Sequence, residues 1–232
     1  MSDGSGKVLA VITARGGSKG LLRKNVLPLA GRSLIGWTIA AARAARCVGR
    51  VVVSTDDAEI ASAALSEGAE VPFLRPAELA TDTAGSIDVL RHAVGQCPGF
   101  DYVLLLQPTS PLRTAEDIDA AYDRLRAADA PSCVSVCEVT ELPWLMYRHD
   151  ADGRLERLLP EPATGLRRQD LPPVFRLNGA VYLARTDRFL EDGHLVGPGT
   201  VSYIMPAERS LDIDTLDDFD QAVRIMDKVR SR

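Results

Sequence analysis

The sequence has few of the residues that carry nucleophilic or zinc chemistry. Its 232 residues include 4 cysteines and 3 histidines, and His92, His149 and His194 are scattered through the chain. Four cysteines do not make a disulfide scaffold at this length. Cys133 and Cys137 lie four apart in an apolar run, and we interpret them as ordinary buried thiols, with a zinc pair as the alternative. No Ser/His/Asp or Cys/His nucleophile set is evident.

Long apolar runs and basic stretches with interleaved aromatic residues are also missing. The longest apolar runs have the length of a strand, which excludes a membrane-spanning helix, and Met1 to Gly4 lack the apolar core of a signal peptide. We therefore expect a cytoplasmic protein that does not bind a membrane. The formal net charge of −5 and the 5% aromatic content argue against nucleic acid as a partner.

Acidic residues are absent from Gly4 to Thr55, a stretch that contains nine lysines and arginines. In this stretch the apolar run Val8 to Ile12 precedes Ala14-Arg15-Gly16-Gly17-Ser18-Lys19-Gly20. Glycines bring backbone N–H groups close to an anion, and cations neutralise its charge, so this loop predicts a polyphosphate site. Ser18 offers a hydroxyl, and Lys19 and Lys24 offer point charges, although a lysine taken alone is also explained as a solvated surface charge.

The spacing of this loop excludes two common nucleotide-binding motifs. It has neither Gly-Lys-Ser/Thr after the spacing of a P-loop nor Gly-x-Gly-x-x-Gly. Kinase, GTPase and Rossmann dehydrogenase functions therefore lose support.

Apolar runs alternate with helical patterns, and the 46% hydrophobic content suffices for one buried domain with an appendage. Strands are predicted at 8–13, 50–54, 70–74, 102–106, 132–139, 178–184 and 201–205. Helices are predicted at 33–47, from an Asp56 cap to about 67, at 86–96, from a Thr114–Asp117 cap to about 128, and after a Thr215–Asp218 cap. Strands that are apolar throughout indicate a mostly parallel sheet covered by helices on both faces.

The periodicity weakens in a proline-rich segment between the two parts of this pattern. We assign residues 1–139 and 176–232 to the main domain and residues 140–175 to an excursion that packs on a second subunit. The alternative is a long surface loop folded on its own domain.

Two further polar clusters follow predicted strands, where open parallel sheets bind ligands. Gln107-Pro108-Thr109-Ser110-Pro111-Leu112-Arg113 offers hydrogen bonds from Gln107, Thr109, Ser110 and Arg113 to a polar ligand, although a proline-braced turn before a capped helix is also common. In Ser210 to Thr215, Asp212 and Asp214 point the same way in an extended chain, which suits Mg²⁺. The alternative is two solvated acids before a helix N-terminus.

The three clusters together predict nucleotidyl transfer. Cations and a metal would stabilise charge on the α-phosphate and the leaving pyrophosphate, with an acceptor oxygen aligned behind phosphorus.

These motifs resemble the acylneuraminate cytidylyltransferases, which make CMP-activated sialic acids from CTP. The resemblance covers almost the whole chain. It is carried by Ala14 to Gly20 with Lys24-Asn25, Val53 to Asp56, Arg75 to Ala80, Gln107 to Arg113, Asn178 to Tyr182, and Asp212 to Asp214. It implies a three-layer, Rossmann-like α/β nucleotidyltransferase fold with a mostly parallel sheet, CTP and a small acidic acceptor as partners, Mg²⁺ as cofactor, and a homodimer.

The resemblance also implies a role for each matching residue. The nucleotide-binding set comprises Arg15, Gly16, Gly17, Ser18, Asn25, Arg75, Ala84 and Ser86, with Arg15, Lys19 and Lys24 as catalytic cations. The acceptor-binding set comprises Gln107, Thr109, Ser110, Arg113, Tyr182 and Arg168, the last lent to the neighbouring subunit's site. Asp212 and Asp214 would hold Mg²⁺.

The departures from the family lie on the acceptor side. Leu145 stands where bacterial sialic acid enzymes carry a lysine, and His194-Leu195 stands in place of two sugar-flanking phenylalanines. CTP use is therefore better supported than N-acetylneuraminate use, and the acceptor stays open among nonulosonic acids and phosphonates. A non-catalytic nucleotide-binding protein is the alternative from another class, and the presence of Lys24, Asp212 and Asp214 argues against it.

Overall fold

The computed structural model describes residues 7–17, 20–160 and 171–230. The strands are β1 (Val8–Thr13), β2 (Pro28–Leu29), β3 (Arg32–Ser33), β4 (Val48–Ser54), β5 (Tyr102–Leu106), β6 (Ser132–Glu138), β7 (Tyr147–His149), β8 (Leu155–Arg157), β9 (Phe175–Arg185) and β10 (Val201–Ile204). The helices are α1 (Leu34–Ala44), α2 (Ala58–Ser66), α3 (Ser86–Gln96), α4 (Ala115–Ala127), α5 (Thr186–Asp192) and α6 (Leu216–Arg230). Within the described residues, no helix is both long enough and apolar enough to cross a membrane.

Six strands form the central sheet in the order β10-β6-β9-β5-β1-β4. All of them run in one direction except β9, which is antiparallel to both β5 and β6. The carboxyl ends of the five parallel strands therefore meet at one edge of the sheet, where ligands bind in such folds.

Helices cover both faces of this sheet because the side chains of each strand alternate between two apolar layers. On one face Ala10 and Ile12 pack with Ile39 and Ile118 of α1 and α4. On the other face Leu9, Val11 and Leu105 pack with residues of α3 and α5, including Leu90 and Phe189. The predicted three-layer α/β fold with a mostly parallel sheet is confirmed.

Two local predictions are wrong. Residues 70–74 form only a single parallel bridge, between Glu70 and Val52, because the chain turns away after one pairing. The cap of α2 is Asp57 rather than Asp56, since the Asp57 Oδ1 accepts hydrogen bonds from the N–H groups of Glu59 and Ile60, each at 2.9 Å. Asp56 instead accepts a hydrogen bond from the Gly16 N–H at 3.1 Å.

The predicted excursion contains a separate two-stranded sheet. Strands β7 and β8 pair antiparallel, from Tyr147 opposite Arg157 to His149 opposite Leu155. Residues 161–170, which include Arg168, lie outside the described residues. The described part of the excursion thus forms its own small sheet beside the main one.

Asp117 joins the start of α4 to the strand β10 and the loop that follows it. Its fully buried carboxylate accepts hydrogen bonds from the Thr114 N–H (3.0 Å), the Tyr203 hydroxyl (2.9 Å) and the Arg209 guanidinium (2.6 Å). Burial alone would raise the pKa of this carboxyl, but the hydrogen bonds from Arg209, Thr114 and Tyr203 outweigh it, so the pKa lies below its usual value.

We predict that Asp117→Ala lowers the free energy of unfolding by about 2–4 kcal/mol, because it removes the acceptor of the Thr114 N–H, the Tyr203 hydroxyl and the partly exposed Arg209. Because the pKa is lowered in the folded chain, this stabilisation is present above the ordinary carboxyl pKa and is lost as pH falls through the folded value. Urea unfolding at pH 7 and near pH 3 measures both effects. The control is Asp123→Ala, which removes an exposed ion pair with Arg46. Equal losses of unfolding free energy in Asp117→Ala and Asp123→Ala would contradict the stabilising role of Asp117.

Candidate functional site

The glycine loop follows the carboxyl end of β1, and side chains from other segments form hydrogen bonds with its backbone. The buried Asn25 donates a hydrogen bond from Nδ2 to the Arg15 carbonyl at 3.1 Å. A Cβ on Gly16 would lie 2.7 Å from the Asp57 Oδ2, so the loop passes too close to α2 for any larger residue. Ser18 and Lys19 lie outside the described residues.

Next to this loop is a pocket of about 300 Å³ at the carboxyl edge of the sheet. Eight of the predicted site residues line it: Arg15, Lys24, Asn25, Arg75, Ala84, Ser86, Gln107 and Thr109. They come from the loop after β1, the 3₁₀ helix Lys24–Val26, the segment that leads into α3 and the turn after β5. The structure therefore brings together most of the residues that the motifs predicted for the nucleotide.

Each cation in this pocket already has a partner in the chain. The guanidinium of Arg15 lies 2.8 Å from the Asp82 carboxylate, which also lines the pocket. Lys24 donates from Nζ to the Ile213 carbonyl at 3.2 Å and to the Asp214 Oδ1 at 3.0 Å. An anionic ligand that bound here would exchange places with these carboxylates.

Arg75 is buried at the end of β4. Its guanidinium donates to the Ser54 hydroxyl at 3.1 Å and to the Ser54 carbonyl. Burial lowers the pKa of Arg75, with the charge of Asp56 opposing that shift and the charge of Arg15 adding to it. Its side chain therefore braces the pocket wall.

Ser110 and Arg113 do not lie in the pocket, which differs from the sequence prediction. Both are buried. The Arg113 guanidinium donates to the Ala180 carbonyl (2.8 Å), the Gln107 carbonyl (3.2 Å) and the Thr38 hydroxyl (2.8 Å), and the Ser110 hydroxyl donates to the Asn178 carbonyl (3.4 Å). These side chains turn inward because they satisfy buried backbone carbonyls, and so they hold the loop that presents Gln107 and Thr109.

The two carboxylates of the third cluster differ in exposure. The Asp214 side chain is 72% exposed, whereas the Asp212 Oδ1 is buried and has no hydrogen-bond partner. Burial raises the pKa of Asp212, a hydrogen bond from Thr109 lowers it, and the charge of Asp214 raises it further. The half-buried phenol of Tyr182 lies close enough that burial and the Asp212 charge both raise its pKa.

This pair fits a divalent cation held by two protein carboxylates. The unpartnered Oδ1 of Asp212 is a hard oxygen ligand. A bound cation would offset the free-energy cost of burying this charge and the repulsion between Asp212 and Asp214. The described residues contain no group of three or more His, Cys, Asp or Glu side chains that would form a closed metal site. Mg²⁺ usually completes its coordination with water and phosphate oxygens, so two carboxylates suffice. Cys133 and Cys137 are buried free thiols, as expected.

Asp82 was missed by the sequence reasoning. It lies among Thr81, Thr83 and Ala84 in a turn that follows a short 3₁₀ helix, Ala77–Leu79. No sequence motif predicts a carboxylate in a pocket that is expected to bind phosphates. The one signal in the sequence is that Asp82 lies between two predicted site residues, Arg75 and Ser86.

Known proteins resemble the chain over nearly all of its length. It is 38% identical over 232 residues to CMP-N,N'-diacetyllegionaminic acid synthase of Legionella pneumophila subsp. pneumophila, covering 95% of this chain and 97% of the relative. It is 34% identical over 222 residues to N-acylneuraminate cytidylyltransferase of Escherichia coli O18:K1:H7, covering 96% of this chain. The chain spans about half of that relative, 52% of its length. Pseudaminic acid cytidylyltransferase of Campylobacter jejuni is 31% identical, with 96% and 97% covered.

Two solved structures share the fold. CMP:2-keto-3-deoxy-manno-octonic acid synthetase complexed with CTP superposes with a TM-score of 0.72 at 18% identity, covering 96% of this chain and 99% of that one. The 4-diphosphocytidyl-2C-methyl-D-erythritol synthase of Anaerococcus prevotii superposes with a TM-score of 0.67 at 12% identity, covering 96% and 97%. Residues 9–173 match the family described as Cytidylyltransferase. From this match and the relatives at 38% and 31% identity that it covers almost completely, the chain belongs to the cytidylyltransferase family.

Proposed function

We propose that the protein transfers CMP from CTP to the hydroxyl of a nonulosonic, sialic-type acid and releases pyrophosphate. The observation that carries this proposal is one pocket at the carboxyl edge of the sheet, where eight residues of the predicted catalytic, nucleotide and acceptor sets converge. Relatives named as sialic, legionaminic and pseudaminic acid cytidylyltransferases or synthases support the acceptor class.

On this proposal Arg15 and Lys24 neutralise the triphosphate once it displaces Asp82 and Asp214 from them. Ala84 and Ser86, at the start of α3, together with Arg75 bind the cytosine. Gly16, Gly17, Ser18 and Asn25 surround the phosphates, and Lys19 supplies a further positive charge to them.

Gln107, Thr109 and Tyr182 orient the acceptor, and Arg168 joins them from the second subunit. The acceptor hydroxyl attacks the α-phosphorus, and the new P–O bond replaces the bond to the β-phosphate. Pyrophosphate leaves, and in the net reaction the hydroxyl proton is released to solvent.

Mg²⁺ is the proposed cofactor, held by Asp212 and Asp214. When bound, it would stabilise the negative charge that develops on the phosphates. The chain contributes the geometry of the pair, because Ile213 between them is fully buried and its N–H donates to the Thr109 carbonyl at 2.8 Å. The carboxylates are therefore fixed relative to the loop that carries Gln107.

A homodimer formed through the excursion is also part of the proposal. Apolar side chains on β7, β8 and their neighbours are unusually exposed: Leu145, Met146, Tyr147, Leu155, Leu158, Leu159, Phe175 and Leu177. Exposed apolar side chains concentrated in and beside one segment are typical of a protein interface.

The function is tested by incubating the purified protein with CTP, Mg²⁺ and a panel of acceptors. The panel contains N-acetylneuraminate, legionaminate, pseudaminate, a deaminated nonulosonate and a phosphonate, and released pyrophosphate is measured. We expect turnover with at least one nonulosonate. Turnover with the phosphonate alone would establish the alternative acceptor class, whereas tight CTP binding without turnover on any acceptor would indicate a non-catalytic protein.

We predict that Asp214→Ala lowers kcat by about 10² or more and leaves the melting temperature almost unchanged. The side chain is exposed and paired only with Lys24, so its loss costs little stability. Asp220→Ala, an exposed acid on α6, is the matched control. A rate that stays at the control level under saturating Mg²⁺ would remove Asp214 from the metal site.

We predict a solution mass of two chains and a shift toward one chain in Leu155→Arg. Leu155 is 67% exposed on β8, and a charge there opposes burial against a partner. Light scattering measures the mass, with Leu65→Arg as the control because Leu65 is 59% exposed on α2, away from the excursion. A single-chain mass for the unmodified protein at tens of micromolar would count against the dimer.

A further inference from the structure

Strand β9 carries an irregularity where it passes the candidate site. Val134 of β6 pairs with Tyr182, but Val136 pairs with Leu177, so residues 178–181 of β9 lie opposite the single residue Ser135. Gly179 has φ of 74°, a conformation that glycine adopts without strain. Such bulges redirect side chains next to active sites.

The side chain of Asn178 fills this bulge and is almost completely buried. Its Oδ1 accepts hydrogen bonds from the Ser135 hydroxyl (2.6 Å) and the Ala180 N–H (3.2 Å). Its Nδ2 donates to the Ser210 hydroxyl (2.9 Å) and to the Met205 sulfur (3.3 Å). All four bonding positions of the amide are used, so its orientation is fixed.

Asn178 bonds to the segment that carries Asp212 and to the loop that carries Gln107. Ser210 lies two residues before Asp212, and its hydroxyl is held between Asn178 and the Pro206 carbonyl at 2.9 Å. The Asn178 carbonyl accepts from Ser110, in the loop that carries Gln107. A Cβ on Gly179 would lie 2.7 Å from the Gln107 Oε1 and 3.8 Å from the Asp212 Oδ2, so the bulge passes close to both side chains and leaves no room for a side chain of its own.

We propose that Asn178 is a positioning residue that sets the placement of Asp212 relative to Gln107. This positioning role rests on the proposed function. On the proposed function Asn178 does not touch nucleotide or acceptor. Its side chain acts through Ser210 on the segment that carries the carboxylates, and by fixing the bulge it also places its own backbone carbonyl against Ser110 and Gly179 against Gln107. On the nucleotide side of the pocket, Arg15 pairs with Asp82 and Arg75 bonds to Ser54, whereas Lys24 meets the carboxylate segment at Ile213 and Asp214.

The test uses Asn178→Ala, Ser210→Ala and the double variant of the full chain. CTP affinity, Mn²⁺ affinity of the CTP-loaded protein by calorimetry, and kcat are measured for each. We expect kcat and Mn²⁺ affinity to fall about tenfold or more in each single variant, with CTP affinity within about twofold. The double variant should lose little more than the larger single loss, because both changes remove the same hydrogen bond.

The matched control is Ser132→Ala. Like Ser210, Ser132 is a buried serine. It lies at the start of β6, away from the pocket, and its hydroxyl is 2.8 Å from that of Thr200. This variant should keep unmodified kcat and Mn²⁺ affinity, and its effects should add to those of Asn178→Ala. CTP affinity that falls in step with kcat, or unchanged kcat and Mn²⁺ affinity in Asn178→Ala, would overturn the proposal.

Failure of the proposed function looks different. In that case the unmodified protein turns over no acceptor, yet the Mn²⁺ titrations still compare the variants. A weaker Mn²⁺ site in Asn178→Ala and Ser210→Ala alone would then support the positioning role, and equal affinities in all variants would overturn it.

Discussion

One ion pair joins the two ends of this chain at the site. Lys24 follows the glycine loop of β1, and its ammonium group is held by the Ile213 carbonyl and the Asp214 carboxylate, about 190 residues later. Through it, the segment that follows the glycine loop contacts the segment before the last helix. The pair places Asp214 beside Lys24, which lines the pocket, while the buried Ile213 fixes the same segment against the Thr109 carbonyl.

The acid-free segment at the start of the chain is neutralised by acids from later in the sequence. Arg23 pairs with Glu59, Arg32 with Glu67, Arg46 with Asp123 and Arg50 with Glu70. These exposed pairs contribute little to stability individually. Each of these four cations lies beside a carboxylate, so much of the charge asymmetry seen along the sequence is offset by contacts in the fold.

The fold was predictable because its signals are local. The apolar run at β1 has the predicted bounds, and the Thr114–Asp117 and Thr215–Asp218 caps form as their spacing indicates. The single-residue error at Asp56 and Asp57 has a physical origin: both are acids before a helix, and the neighbouring Gly16 N–H decides which one caps it.

The site was predictable in its location and less so in its detail. Strand ends indicated where Gln107, Ser110 and Arg113 lie, but spacing does not determine whether a polar side chain faces the pocket or turns toward buried carbonyls. Ser110 and Arg113 turn inward because Asn178 and Ala180 present carbonyls that need donors. Such needs arise from tertiary contacts between strands that are distant in sequence, and no motif encodes them.

The pairing of Arg15 with Asp82 and of Lys24 with Asp214 has a consequence for ligand selection. A small anion that reaches only one of these cations replaces one carboxylate and gains little, since one charge contact is exchanged for another. A ligand long enough to displace both carboxylates at once gains two contacts for a single loss of translational freedom. On the proposed function, the two pairs would therefore favour a polyphosphate over inorganic phosphate and weaken the binding of any shorter fragment left after transfer.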